Sequence, residues 1–245
     1  GVRQSEFALQ AMQNPVNFEP VNLGPNVNSR SEEYWPSLSA DGQTLIITRM
    51  VETYDVLLGS RLQEDFFFSR HENGDWTPMK NAGPPLNTAD NEGAQSISAD
   101  GKFMVYTVCN RQGVIGRCDI YYSERIGDQW SEPKNLGEPV NSPAKETQPS
   151  LSADGRTLYF ASDRSGTKGE LDLWVSQRQD DDTWSVPVNL GDSVNTPGVE
   201  MSPFIHHDGK TLYFSSNEHI DMGGLDLFIT QQDTNGQFAE VKNLG

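Results

Sequence analysis

Residues 146–160 read Glu146-Thr147-Gln148-Pro149-Ser150-Leu151-Ser152-Ala153-Asp154-Gly155-Arg156-Thr157-Leu158-Tyr159-Phe160. A glycine after aspartate supplies the positive φ of a tight hairpin, and the β-branched and aromatic residues on its far side suit a pleated surface. The stretch therefore predicts two antiparallel strands joined by a turn. The same turn recurs as Ser39-Ala40-Asp41-Gly42, Ser98-Ala99-Asp100-Gly101 and His206-His207-Asp208-Gly209. Downstream lies a third strand, Asp172-Leu173-Trp174-Val175-Ser176, with counterparts starting at Asp65, Asp119 and Asp226. A fourth follows an aromatic (Trp76, Trp130, Trp184, Phe238) and carries Pro78, Pro133 or Pro187, which suits an edge because proline cannot donate to a ladder.

Each unit closes on Asn81-Ala82-Gly83, Asn135-Leu136-Gly137, Asn189-Leu190-Gly191 or Asn243-Leu244-Gly245, a step of 54 residues. Four strands per unit, repeated head to tail, predict an all-β chain: a β-propeller of four-stranded antiparallel blades over 25–83, 84–137, 138–191 and 192–245. Phe18-Glu19-Pro20-Val21-Asn22-Leu23-Gly24 repeats the fourth-strand pattern with no strands before it. Residues 17–24 are thus expected to be a closing strand, either completing a fifth, three-stranded blade after Gly245 or extending from a four-bladed ring. Residues 5–13 carry helix formers and 1–16 read as the end of a preceding helical domain or a linker.

With 18 Lys plus Arg against 35 Asp plus Glu, the net charge is −17, which disfavours nucleic acid and anionic membrane surfaces as partners. No apolar run approaches the length of a membrane span. Cys109 and Cys118 fall at the end of a second strand and the start of the neighbouring third, so they can face each other. A disulfide there would contribute about 2–3 kcal/mol and fits an oxidising compartment.

The combined pattern of Glu-x-x-Pro-Ser, Ser-x-Asp-Gly-x-Thr-Leu-Tyr-Phe and Trp-x-x-Pro-x-Asn-Leu-Gly resembles the WD-like repeats of TolB-type propellers. Asn91-Glu92-Gly93-Ala94-Gln95, the run Cys109 to Ser123 and Met222-Gly223-Gly224-Leu225-Asp226 make it similar, more closely, to the propeller of OmpA-family periplasmic lipoproteins of the PorE type, from type IX secretion. The resemblance spans residues 5–245. It implies a non-enzymatic scaffold in the periplasm, associated with the outer membrane in the full-length parent. The implied partners are protein subunits of an envelope secretion complex, with peptidoglycan held only through a domain outside this chain. It implies no catalytic residues, no cofactor and no direct membrane insertion.

Glu33, Glu92, Glu146 and Glu200 stand before the innermost strand of every unit. Either they ring one mouth of the axial channel, ready for a cation or a basic peptide, or each caps its own Asn-x-x-x-x-Glu turn. Asp41, Asp100, Asp154 and Asp208, with Asp65, Asp119, Asp172 and Asp226, read as turn residues that satisfy backbone donors. The Ser-x-Asp-Gly turn superficially resembles the Asp-box of sialidases, and so raises glycan binding or glycoside hydrolysis as the alternative. No arginine set departs from the repeat to support it, and the basic residues look scattered. His71, His206, His207 and His219 show no metal-binding spacing. The first unit departs most from the others, and its long loop around Val51–Glu64 with the inner-strand aromatics gives the partner-binding candidates Tyr34, Trp35, Tyr54, Val56, Leu57 and Leu58.

Overall fold

A computed structural model describes residues 2–13, 15–17, 19–55 and 59–245. Four antiparallel sheets form the four blades of a β-propeller. The inner strands are Glu33–Leu38, Asn91–Ile97, Glu146–Leu151 and Glu200–Ile205. Each turns at its Asp-Gly into a second strand (Thr44–Asp55, Phe103–Cys109, Thr157–Ser162, Thr211–Ser216) and then a third (Gly59–Glu72, Cys118–Ile126, Asp172–Gln177, Asp226–Gln231).

The outer strand is broken. A two-residue pairing survives at the aromatic in the first two blades (Asp75–Trp76 and Gln129–Trp130), and single bridges to Trp184 and Phe238 in the others. The ladder resumes only past the proline positions, at Lys80–Asn81, Lys134–Asn135, Val188–Asn189 and Lys242–Asn243. Third-strand serines span the gap: the Ser176 hydroxyl donates to the Ser185 carbonyl at 2.7 Å.

Blades pack through alternating side chains, since a strand shows successive residues to opposite faces. Val105 and Ile120 of the second blade meet Leu158, Phe160 and Trp174 of the third. Tyr159, Ala161 and Leu173 leave the third blade to meet Leu212, Phe214 and Phe228 of the fourth. Hydroxyls stitch the inner strands together: Ser96 accepts from the Leu151 amide and Ser150 from the Ile205 amide, both at 2.9 Å.

The junction between blades is built from one asparagine. Asn141 accepts from the Ile120 amide at 2.8 Å and donates to the Ile120 carbonyl at 2.9 Å, so its amide side chain acts as one more peptide unit on the third strand. Asn87 does the same with Phe66, and Asn195 with Leu173. The next residue, Ser142, instead bonds forward to Glu146.

The ring is open. Among the described residues no strand of the fourth blade touches a strand of the first. Phe66, Ile120 and Leu173, at the same place in the first three blades, are 0% exposed, whereas Leu227 in the fourth is 50% exposed. On the opposite side of the gap Leu38 is 49% exposed, against 5% for its counterpart Leu151. The expected closing strand enters no ladder over 19–24, although Asn22 keeps the turn of the repeat by accepting from the Gly24 amide at 2.8 Å. The helix forms over Val2–Gln13, longer than expected, and Gln4 donates to the buried Asp221 carboxylate of the fourth blade at 3.1 Å.

One expectation changes here and another holds. The insertion expected as a loop is an extension of the second and third strands, paired without a slip from Thr44↔Arg70 to Asp55↔Gly59. Val51, Thr53 and Tyr54 are strand formers, and Gly59 at φ 79° lets the chain turn, so the extra residues lengthen the hairpin instead of looping out. The cysteine expectation holds: a Cys109–Cys118 disulfide joins directly paired residues, with Cα atoms 4.1 Å apart.

Candidate functional site at the axial mouth

Each inner strand slips register once, between Tyr34 and Ser37, Gly93 and Ser96, Thr147 and Ser150, and Met201 and Phe204. The slip is a β-bulge, in which two residues oppose one. Its first residue is left-handed in every blade: Trp35 (φ 53°), Ala94 (52°), Gln148 (56°) and Ser202 (55°). Side-chain-bearing residues rarely adopt this conformation, and it persists only where surrounding bonds hold it. Those bonds are present. Gln95 Nε2 donates to the Trp35 carbonyl at 2.6 Å, the Ala94 amide to Thr48 Oγ1 at 3.3 Å, the Gln148 amide to Thr107 Oγ1 at 2.9 Å and the Ser202 amide to Gln148 Oε1 at 2.7 Å.

All four bulges line one axial cavity of about 250 Å³, together with Pro36, Pro149, Pro203 and Phe204. Trp35, Ala94 and Gln148 also line an adjoining cavity of about 210 Å³ whose wall includes Glu64, Lys145 and the disulfide. Sequence reasoning missed the bulges. Their signal is the proline that follows in three blades, because a proline inside a strand marks an edge or a bulge.

The inner-strand glutamates are the first residue of these strands, or in the second blade the second, and each is held by the residue four positions earlier. Ser142 donates its amide (2.8 Å) and hydroxyl (2.7 Å) to Glu146, and Thr196 does so to Glu200 at 2.8 and 2.6 Å. Ser29 and Thr88 serve Glu33 and Glu92 in the same manner. Glu92, Glu146 and Glu200 are completely buried. The turn aspartates behave alike: Asp154 accepts from Ser152 Oγ and the Arg156 amide, which hold its carboxyl below the usual range. Asp119 and Asp172 each accept two loop amides and an asparagine amide.

The basic residues that looked scattered converge on the same places. Arg164 pairs with Glu146 at 2.9 Å, donates to the Val140 carbonyl, and lies over Phe160 and Trp174 with its guanidinium carbon 5.0 and 5.4 Å from the ring centroids. Arg49 pairs with Glu33 at 3.0 Å, bonds the Val27 carbonyl at 2.7 Å and lies over Phe67. Arg111 approaches Glu92 only to 4.0 Å. In the fourth blade His219 takes over, its Nε2 2.8 Å from the Val194 carbonyl and its ring against Phe214 and Phe228. No lysine or arginine lies within 4 Å of Glu200 among the described residues.

Burial pushes Glu92 up to about 7, against the Thr88 bonds and the distant Arg111. A carboxyl whose folded value exceeds its ordinary 4.5 keeps its proton longer when folded. Its stabilising effect is complete below pH 4.5 and is lost as the pH rises to 7. Unfolding free energies should therefore fall by about 2–3 kcal/mol over this window, and Glu92→Gln should remove most of the slope while sharing every histidine with the parent. Equal slopes for the two proteins, measured by urea unfolding at a series of pH values, would refute this.

Among the partner-binding candidates, Tyr34 and Trp35 are half-buried neighbours at the axis. Tyr34 donates its hydroxyl to Glu64 at 2.5 Å, and burial, with the Glu64 carboxylate, raises its pKa. Tyr54 is exposed on the long hairpin. Thr48 pairs with Tyr34, so Tyr54 stands six residues, or about 20 Å, farther along the strand and is not brought to the axis. Val56, Leu57 and Leu58 lie outside the described residues. His206 and His207 pack ring against ring at the fourth turn, and among the described residues no three His, Cys, Asp or Glu side chains are grouped to hold a metal.

No family model matches this sequence, and no curated protein does. Solved structures do. A protein assigned as TolB from Agrobacterium tumefaciens is 18% identical with a TM-score of 0.50, over 90% of this chain and 83% of that one. An α-L-arabinofuranosidase from Lactobacillus brevis is 17% identical at 0.50, over 87% and 75%. A puromycin-hydrolysing peptidase from Mycobacterium tuberculosis is 11% identical at 0.54, over 86% of this chain and only 31% of that one. The likeness at these identities is one of fold: a TolB-type propeller is among the neighbours, and so are hydrolases.

Proposed function

We propose that this chain is a non-enzymatic scaffold that binds protein partners at its axial mouth. In this reading it is the propeller of a PorE-type, OmpA-family envelope protein, acting in the periplasm and joined to type IX secretion, with peptidoglycan engaged by a domain outside the chain. One observation carries the reading. The repeated architecture of the mouth spends its carboxylates internally, on Ser29, Thr88, Ser142 and Thr196, and leaves Trp35, Pro36, Pro203 and Phe204 around the opening. Glycoside hydrolysis needs two carboxylates free to act as acid and as base or nucleophile. A rigid aromatic and proline rim over preformed backbone suits a peptide, because its ordering cost is already met.

The test is capture from envelope extracts with the parent and with Trp35→Ala. Recovery of the same envelope proteins by the parent, reduced at least tenfold by the variant, supports the reading. Glycan-array binding without any protein partner would replace it with the glycan-binding alternative.

A further inference from the structure

The groove between the first and second blades lacks an aromatic ring that the next groove carries. Between the second and third blades, Phe103 is buried with its ring centroid 5.3 Å from that of Tyr122, and the Arg178 guanidinium carbon lies 4.6 Å from the centre of the phenyl ring. The phenyl ring thus fills the groove between an arginine and a tyrosine. Thr44 takes the place of Phe103 in the first blade, Phe68 that of Tyr122, and Arg125 that of Arg178. The equivalence is visible in the backbone, where the Arg125 amide donates to the Lys102 carbonyl as that of Arg178 does to Arg156.

Here the groove is hollow. A cavity of about 410 Å³ is lined by Thr44, Phe68, Arg125 and Trp130. No ring among the described residues lies within cation–π reach of Arg125, whereas Arg178 lies over Phe103. Trp130 is half-buried, while its counterpart Trp184, beside Phe103, is buried. Arg70 and Lys80 also line the cavity, so three cations face Glu72 and Asp128 in a chain of net charge −17. Arg125 reaches Asp128 only at 3.5 Å, whereas Arg178 meets Asp182 at 3.1 Å.

We propose that the groove between the first and second blades is a binding site for a small aromatic carboxylate, whose ring enters between Arg125 and Phe68 as Phe103 does between Arg178 and Tyr122. The carboxylate then faces Arg70 and Lys80. The volume is that of ordinary small-molecule sites, and a planar ring under a guanidinium gains from both area burial and cation–π attraction.

Calorimetric or ligand-observed NMR titration of the whole chain with benzoate and 4-hydroxybenzoate tests this. Saturation with a dissociation constant at or below about 1 mM is expected, with cyclohexanecarboxylate at least tenfold weaker. Thr44→Phe places the missing ring in the groove and should abolish binding, while Thr157→Phe, in the groove between the third and fourth blades, should leave it unchanged. Arg125→Leu should also weaken binding at least tenfold, and decides the matter if Thr44→Phe fails to fold. Failure to saturate at 10-fold this concentration, equal binding of the cyclohexane acid, or undiminished binding by the folded variants would overturn the proposal.

Discussion

Replacing Arg164 by Met should lower the unfolding free energy by about 3–5 kcal/mol, the usual consequence of removing one partner from a buried ion pair. Glu146 is fully buried and Arg164 nearly so. Without the guanidinium the carboxylate keeps the Ser142 and Ser162 bonds but loses its counter-charge. Two further losses add to this. The Val140 and Pro139 carbonyls lose their donor, and Phe160 and Trp174 lose the cation over their faces. The double variant Arg164→Met with Glu146→Gln should recover a large part of the loss, because a neutral amide needs no counter-charge. Urea midpoints of the single and double variants measure both effects. A loss under about 1 kcal/mol in the single variant would mean that water reaches Glu146 and replaces the arginine.

The second large effect is a contrast between two equivalent leucines. Leu173→Ala should cost about 2–5 kcal/mol, since it opens a cavity in a packed interface. Leu227→Ala, at the same place in the fourth blade, should cost less than about 1 kcal/mol, because half of that side chain already meets water. Equal losses in thermal or urea unfolding would show that the fourth blade's outer face is covered in solution. Sedimentation at several concentrations would then tell whether a second copy covers it.

The recurring Asp-Gly turns and aromatic runs were enough to read four blades, because glycine and strand formers act over a few residues. The disulfide was legible for the same reason, since neighbouring strands bring Cys109 and Cys118 into register. The arginine partners were not. Arg49, Arg111 and Arg164 follow their glutamates by 16, 19 and 18 residues, and these unequal spacings hide their spatial equivalence. A long flexible side chain can reach one carboxylate from several backbone positions. Their setting emerges only when the loop is folded. A strand extension and a loop insertion have the same length in sequence, and only pairing, as in the hairpin reaching Asp55, separates them. The left-handed bulges depend on partners in adjacent blades, such as Thr107 for Gln148, that lie about forty residues away.

The asparagine junction also says where the chain can be cut. Asn141 completes the sheet behind it and Ser142 caps the glutamate ahead, so the border between two blades is the single peptide bond joining them. The corresponding borders are Asn87–Thr88 and Asn195–Thr196. A circular permutant opened at one of these bonds keeps every asparagine with its own blade. One opened four residues earlier, just after the Asn-Leu-Gly string, transfers the asparagine to the far end of the polypeptide. The visible repeat in the sequence and the unit that can be moved as a module are therefore offset by four residues.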